Sequence, residues 1–261
     1  MPLPKINTPV YELVLPSSGR KVKYRPFLVR EEKILIMALE SENQKQISEA
    51  IKTVIGQCVQ TRGIKVEKMA TFDIEYLFLN VRAKSVGETV EVNVTCPDDG
   101  ETQVLMEIDI DAIKVEKNPD HSDIIKLDDN LSVKMAYPSM TQFIETNFEL
   151  DTDKPQVDQS LEVIMKCIDQ VYTAEESWDA SDCTKKELRE FVESMNSKQF
   201  KDIEKFFDTM PKLQHKVEVF NPKTKVKSEV MLEGLASFFR LALAHESLEN
   251  YYRTNFALMQ H

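Results

Sequence analysis

The sequence predicts an α+β protein in which helices pack around several short antiparallel hairpins. Three observations carry that class. Alternating strand pairs flank turn-rich peptides at four places along the chain. Amphipathic helical runs lie between and after them. Apolar residues at 42% and charged residues at 30% of 261 describe an ordinary folded protein rather than a disordered one.

The first hairpin places Tyr11, Leu13 and Leu15 on one face, turns through Pro16-Ser17-Ser18-Gly19, and returns with Val22 and Tyr24 alternating with Lys21, Lys23 and Arg25. The three basic residues are expected to face outward. A helix follows over 31–41, with Glu31 and Glu32 at the positive end of its dipole. Ile34 to Leu39 are six consecutive apolar residues, so this helix is expected to be buried. Burial inside the chain is the commoner outcome; burial against another protein is the alternative. The next helix, 45–60, lines up Ile47, Ile51, Val54, Ile55 and Cys58, and a third, 73–85, carries Ile74, Leu77, Phe78 and Val81 before Gly87.

Strands 89–95 and 102–110 turn through Cys96-Pro97-Asp98-Asp99-Gly100, and a shorter pair, 124–127 and 131–136, turns at Asp128-Asp129-Asn130. Helical segments are expected near 139–148, 156–173, 185–195 and 198–209, the third opened by a Thr184 to Glu187 capping box. Residues 151–155 and 177–183 read as polar linkers. A last hairpin, 214–233, turns at Asn221-Pro222-Lys223-Thr224-Lys225, and helices are expected over 234–244 and 245–259. The elements suggest two lobes, an N-terminal one of residues 1–138 and a mainly helical one of 139–261. One internal echo aligns without a gap: Val92 to Pro97 and Val217 to Pro222. Shared turn chemistry explains it, and duplication is the sharper alternative.

A net charge of −11 argues against a nucleic-acid or anionic-membrane surface, which needs clustered Lys and Arg. No run approaches about 18 apolar residues, so no membrane span is expected. No charged segment followed by an apolar run opens the chain, so no secretory signal is expected, and Cys58, Cys96, Cys167 and Cys183 are read as reduced and structural.

Catalytic and metal motifs are scarce. Cys96-Pro97-Asp98-Asp99-Gly100 has half of a zinc knuckle, with Asp99 where the second thiolate would stand, and the turn at 221–225 has no cysteine. No metal is expected there. Asp151-Thr152-Asp153 with Glu162 fails as a calcium loop because Gln156 replaces the required glycine. No phosphate-binding or nucleophile-elbow motif occurs, so no cofactor, catalytic or metal-ligating residues are assigned. A cysteine hydrolase using Cys96 at an exposed turn is the enzymatic alternative, and a regulatory adaptor protein is another. Trp178, alone in a polar stretch, is a core or an interface anchor, more often core. Near the end, Leu248, Tyr251, Tyr252, Asn255 and Met259 share a helical stripe beside Phe256. That stripe either docks on its own domain or meets a partner.

The strings Leu3 to Pro9, Lys23 to Leu35, Ala38 to Ser41, Arg82 to Glu88 and Leu232 to Phe239 resemble a baseplate protein family of T-even-like contractile-tailed phages. This is the family of the baseplate hub subunit and the hub assembly chaperone. The resemblance implies a non-catalytic protein that binds hub or tail proteins of the same phage during tail morphogenesis. It implies the host cytoplasm during assembly and, for a subunit, the virion baseplate. Partner contact is assigned to Tyr251, Tyr252 and Phe256 or to Lys21, Lys23 and Arg25.

Overall fold

The computed structural model describes residues 6–41, 43–145 and 156–233. The expected helices over 234–244 and 245–259, and the linker 151–155, lie outside the described residues. Within them the α+β class holds: seven helices accompany small antiparallel sheets of two to four strands. Contacts divide the described chain into two units, one of residues 6–64, 72–115 and 213–233, the other of 65–71 and 116–212. The chain passes between them four times, whereas the lobes read from sequence meet once, near residue 140.

In the first unit, β1 (Tyr11–Val14) pairs with β2 (Lys21–Tyr24), Leu13 opposite Val22 and Tyr11 opposite Tyr24. Leu13, Leu15, Val22 and Tyr24 are buried, as their alternation predicts. Helices α1 (Val29–Glu40) and α2 (Gln44–Cys58) pack together. Asn43 caps α2 by accepting from the Lys45 and Gln46 amides, which would otherwise lack partners. The end of α2 is tied back to β2: Arg25 N–H donates to the Cys58 carbonyl, and Gln60 N–H to the Lys23 carbonyl.

Helix α1 departs from expectation. Its buried apolar side chains are Leu35 and Ala38, while Val29 is 63% and Met37 59% exposed. A helix with apolar residues on every face buries only the stripe that meets a neighbour. The helix buried nearly all round is α3 (Thr71–Ser85), in which Phe72, Ile74, Leu77, Phe78, Leu79 and Val81 are inaccessible together with Asp73, Glu75 and Arg82.

Two hairpins complete this unit. β3 (Thr89–Thr95) pairs with β4 (Gln103–Asp109), and β10 (Lys212–Phe220) pairs with β11 (Lys227–Glu233), with the short strand β5 (Lys114–Glu116) on the other edge of β10. Val90, Val94 and Ile108 from the first hairpin join Val217 and Val219 from the second in one core, with Leu79 and Ala83 of α3. The alternation of each strand supplies its inward face.

The second unit holds a four-stranded sheet in the order β6 (Ile124–Lys126), β7 (Ser132–Met135), β8 (Ile168–Tyr172) and β9 (Ser177–Asp179). Helices α4 (Met140–Ile144), α5 (Gln156–Cys167), α6 (Lys185–Glu193) and α7 (Ser197–Thr209) accompany it. The expected helix over 156–173 therefore ends at Cys167, and its last third is a strand. Ile168 to Tyr172 is flanked by β7 and β9, and that pairing overrides the continuation of the helical pattern. The supposed linker 177–183 supplies the edge strand β9, where Trp178 lies opposite Val171 and remains 43% exposed, so it is not a core anchor. Ile164, Met165, Val133, Ile203 and Phe206 centre the core of this unit. The Thr184–Glu187 capping box forms as predicted, and Asn196 with Gln199 repeats it for α7.

Candidate functional site

The basic strand divides at its third member. Lys21 and Lys23 face solvent, and the Lys21 ammonium lies 3.0 Å from Glu12 on the neighbouring strand. Arg25 does not face outward. β2 ends at Tyr24, so the alternation stops there, and the Arg25 guanidinium turns in against Glu31 with bonds of 2.9 and 3.3 Å. Its Nη1 also donates to the Pro26 carbonyl at 2.9 Å.

Glu31 is fully buried and carries a dense load. Its Oε1 accepts from Arg30 Nε at 2.6 Å, and its Oε2 accepts the Leu28 amide at 2.7 Å, reaching back to the N-cap of α1. Burial alone would raise this carboxyl. The hydrogen bonds from Arg25, Arg30 and Leu28 outweigh it and hold the group at about 2. The pair sits in the string that begins at Lys23 and anchors the strand-to-helix corner. No motif announces it; the signal available was Glu31 three residues past the N-cap.

The four cysteines are free. Cys96 is buried, contrary to the exposed turn assumed for a nucleophile. Burial, reinforced by the Asp98 and Asp99 carboxylates, raises its thiol above the ordinary value. Burial likewise pushes Cys58 up to about 11 and Cys167 up to about 12. Those environments oppose thiolate formation, which nucleophilic chemistry needs.

In the second unit, His121 is held on both ring nitrogens, with Thr209 Oγ1 3.0 Å from Nδ1 and the Tyr137 hydroxyl 3.0 Å from Nε2. Thr209 donates its own proton to the Lys205 carbonyl, so Nδ1 carries the hydrogen and Nε2 accepts. Burial lowers the His121 pKa, and the ring packs on Phe206 at 5.2 Å. This is a satisfied structural histidine.

The turns of the two long hairpins meet. Asn221 Nδ2 lies 3.0 and 3.1 Å from the Asp98 carboxylate oxygens and 2.9 Å from Asp99 Oδ2, and Thr224 Oγ1 donates to Asp98. The two turns align in sequence, and the fold brings them into contact. Tyr251, Tyr252 and Phe256, the aromatic half of the expected partner surface, lie outside the described residues. No group of three or more His, Cys, Asp or Glu side chains among the described residues forms a metal-holding cluster. No helix among them is long and apolar enough to cross a membrane.

Three polar networks stand out among the described residues: a buried ion pair at a corner, a satisfied histidine and a turn-to-turn clamp. The chain belongs to the family of T4 bacteriophage base plate proteins, whose model matches residues 8–240. It is thus a bacteriophage base plate protein with a structural or assembly role. Neither a curated protein nor a solved structure matches it significantly.

Proposed function

We propose that the protein acts without catalysis in building the central hub of the base plate, binding hub or tail proteins of the same phage as a subunit or as an assembly chaperone. The reading is carried by the string Lys23 to Leu35. In a chain matched by the base plate family over 8–240, this string resembles the hub subunit and hub chaperone, and it holds the Arg25–Glu31 corner. The contact surface comprises the exposed Lys21 and Lys23 and the aromatic residues Tyr251, Tyr252 and Phe256, while Arg25 is turned inward to Glu31. Exposed Val29 and Met37 on α1 add apolar surface. Assembly takes place in the host cytoplasm.

The test is a mass-spectrometric inventory of purified virions beside a tagged pulldown from infected lysate. A hub or tail protein co-purifying in stoichiometric amount is expected. Presence of the chain in virions makes it a subunit, and capture from lysate with absence from virions makes it a chaperone. Capture of no phage structural protein, with the chain also missing from virions, would overturn the proposal.

A further inference from the structure

We propose that the 96–100 and 221–225 turns form a two-knuckle scaffold in which the Asn221 amide supplies the cross-link that a shared metal ion supplies in a zinc ribbon. In such ribbons, each of two tight turns offers ligands at its first and fourth positions, and the ion joins the turns. Those positions here are Cys96 and Asp99 in one turn, and Asn221 and Thr224 in the other.

The backbones correspond. Gly100 N–H donates to the Cys96 carbonyl at 2.9 Å, and Lys225 N–H donates to the Asn221 carbonyl at 2.9 Å. The fifth residue of each turn is left-handed: Gly100 has φ 68°, and Lys225, the one non-glycine with positive φ among the described residues, has φ 63°. A lysine accepts that conformation at a cost, and the turn retains it.

The side chains divide the work of a thiolate and an ion. Asn221 is fully buried, and its Oδ1 accepts the Lys223 amide at 2.9 Å and the Thr224 amide at 3.4 Å, where the first ligand of a knuckle would accept them. Its Nδ2 faces the opposite turn and donates to Asp98 and Asp99. A reversed amide would set a carbonyl oxygen against two carboxylates and an NH2 against two N–H donors, so both sides fix the orientation. Asp99 is held in turn by Thr102, whose hydroxyl donates at 2.5 Å and whose amide donates at 3.0 Å. The centre between the turns is therefore filled by hydrogen-bond donors facing carboxylates. The hydrogen bonds from Thr102 and Asn221 hold Asp99 well below the ordinary carboxylate range, and those from Thr224 and Asn221 lower Asp98. The clamp fastens the hairpin β3–β4 to β10–β11 at the end of their shared core.

Two variants of the full chain test this. Asn221→Asp keeps the shape but replaces the donor with an acceptor, setting a third carboxylate against Asp98 and Asp99. A fall in Tm of about 5 °C or more at neutral pH is expected, recovered in part by millimolar calcium or zinc, which leave the parent unchanged. The combination Asp99→Cys, Asn221→Cys and Thr224→Cys, with native Cys96, is expected to bind one zinc. Cobalt should give the absorption of a tetrahedral thiolate site, and zinc should raise Tm. A parent-like Tm for Asn221→Asp would overturn the proposal, as would stoichiometric zinc that stabilises the parent chain. A folded triple variant that binds neither metal would overturn the two-knuckle geometry. If the triple variant fails to fold, the Asn221→Asp result decides.

Discussion

Helices α1 and α3 invert what their compositions suggest. α1 contains six consecutive apolar residues, yet Met37 and Val29 lie in the open. α3 carries Asp73, Glu75, Arg82 and Lys84 and is almost wholly interior. The difference lies in partners. Asp73 accepts the Ser17 amide at 3.0 Å and the Ser17 hydroxyl, and Arg82 donates to the Gly87 and Thr89 carbonyls at 2.6 and 3.1 Å. A charged side chain whose hydrogen bonds are supplied can go inside, whereas an apolar one is under no obligation to. Burial is thus decided by position in the fold and by polar satisfaction. Runs of apolar letters are a weaker guide.

Substitutions can break this contrast at four points, taken from the largest effect down. Arg82→Ala removes the donor that satisfies two carbonyls beyond the end of α3 and should cost about 3–5 kcal/mol in chemical denaturation. Leu35→Ala, on the buried stripe of α1, should cost about 3 kcal/mol through lost transfer energy and the residual cavity. Asp73→Ala strands the Ser17 amide and should cost about 2 kcal/mol. Met37→Ala should change stability by no more than about 0.5 kcal/mol, the usual range for surface positions.

A pH series sharpens the contrast at the start of α1. The folded pKa of Glu31, about 2, lies below its ordinary value of 4.5, so the folded state favours the ionised form. The stability this contributes is complete above the ordinary value and is lost as pH falls through about 2. Acid titration of unfolding should therefore show the parent losing its advantage over Glu31→Gln across that window. An advantage that is unchanged down to the lower limit would refute the assignment.

Much of the fold was legible because period-two alternation and capping boxes are local signals. The hairpins 11–24, 89–109 and 212–233, and the cap at Thr184, follow from neighbours in the chain. What escaped depends on distant partners. Ile168 to Tyr172 continues the apolar spacing of α5 and becomes a strand because β7, some 35 residues earlier in the chain, pairs with it. β5 is three residues long and gains its place from β10, roughly a hundred residues later. Arg25 follows the outward alternation of Lys21 and Lys23 in sequence, but its strand has ended and a buried carboxylate waits six residues on. The knuckle echo was visible as letters. That Asn221 would meet Asp98 and Asp99 was not, because 122 positions separate the closer two.

The most direct test of the partner-based account of burial is a paired denaturant titration of Leu35→Ala and Met37→Ala, two apolar residues two positions apart on one helix. The account predicts a loss of about 3 kcal/mol for Leu35→Ala and about 0.5 kcal/mol or less for Met37→Ala. Losses of equal size would contradict it and return α1 to the interior on every face.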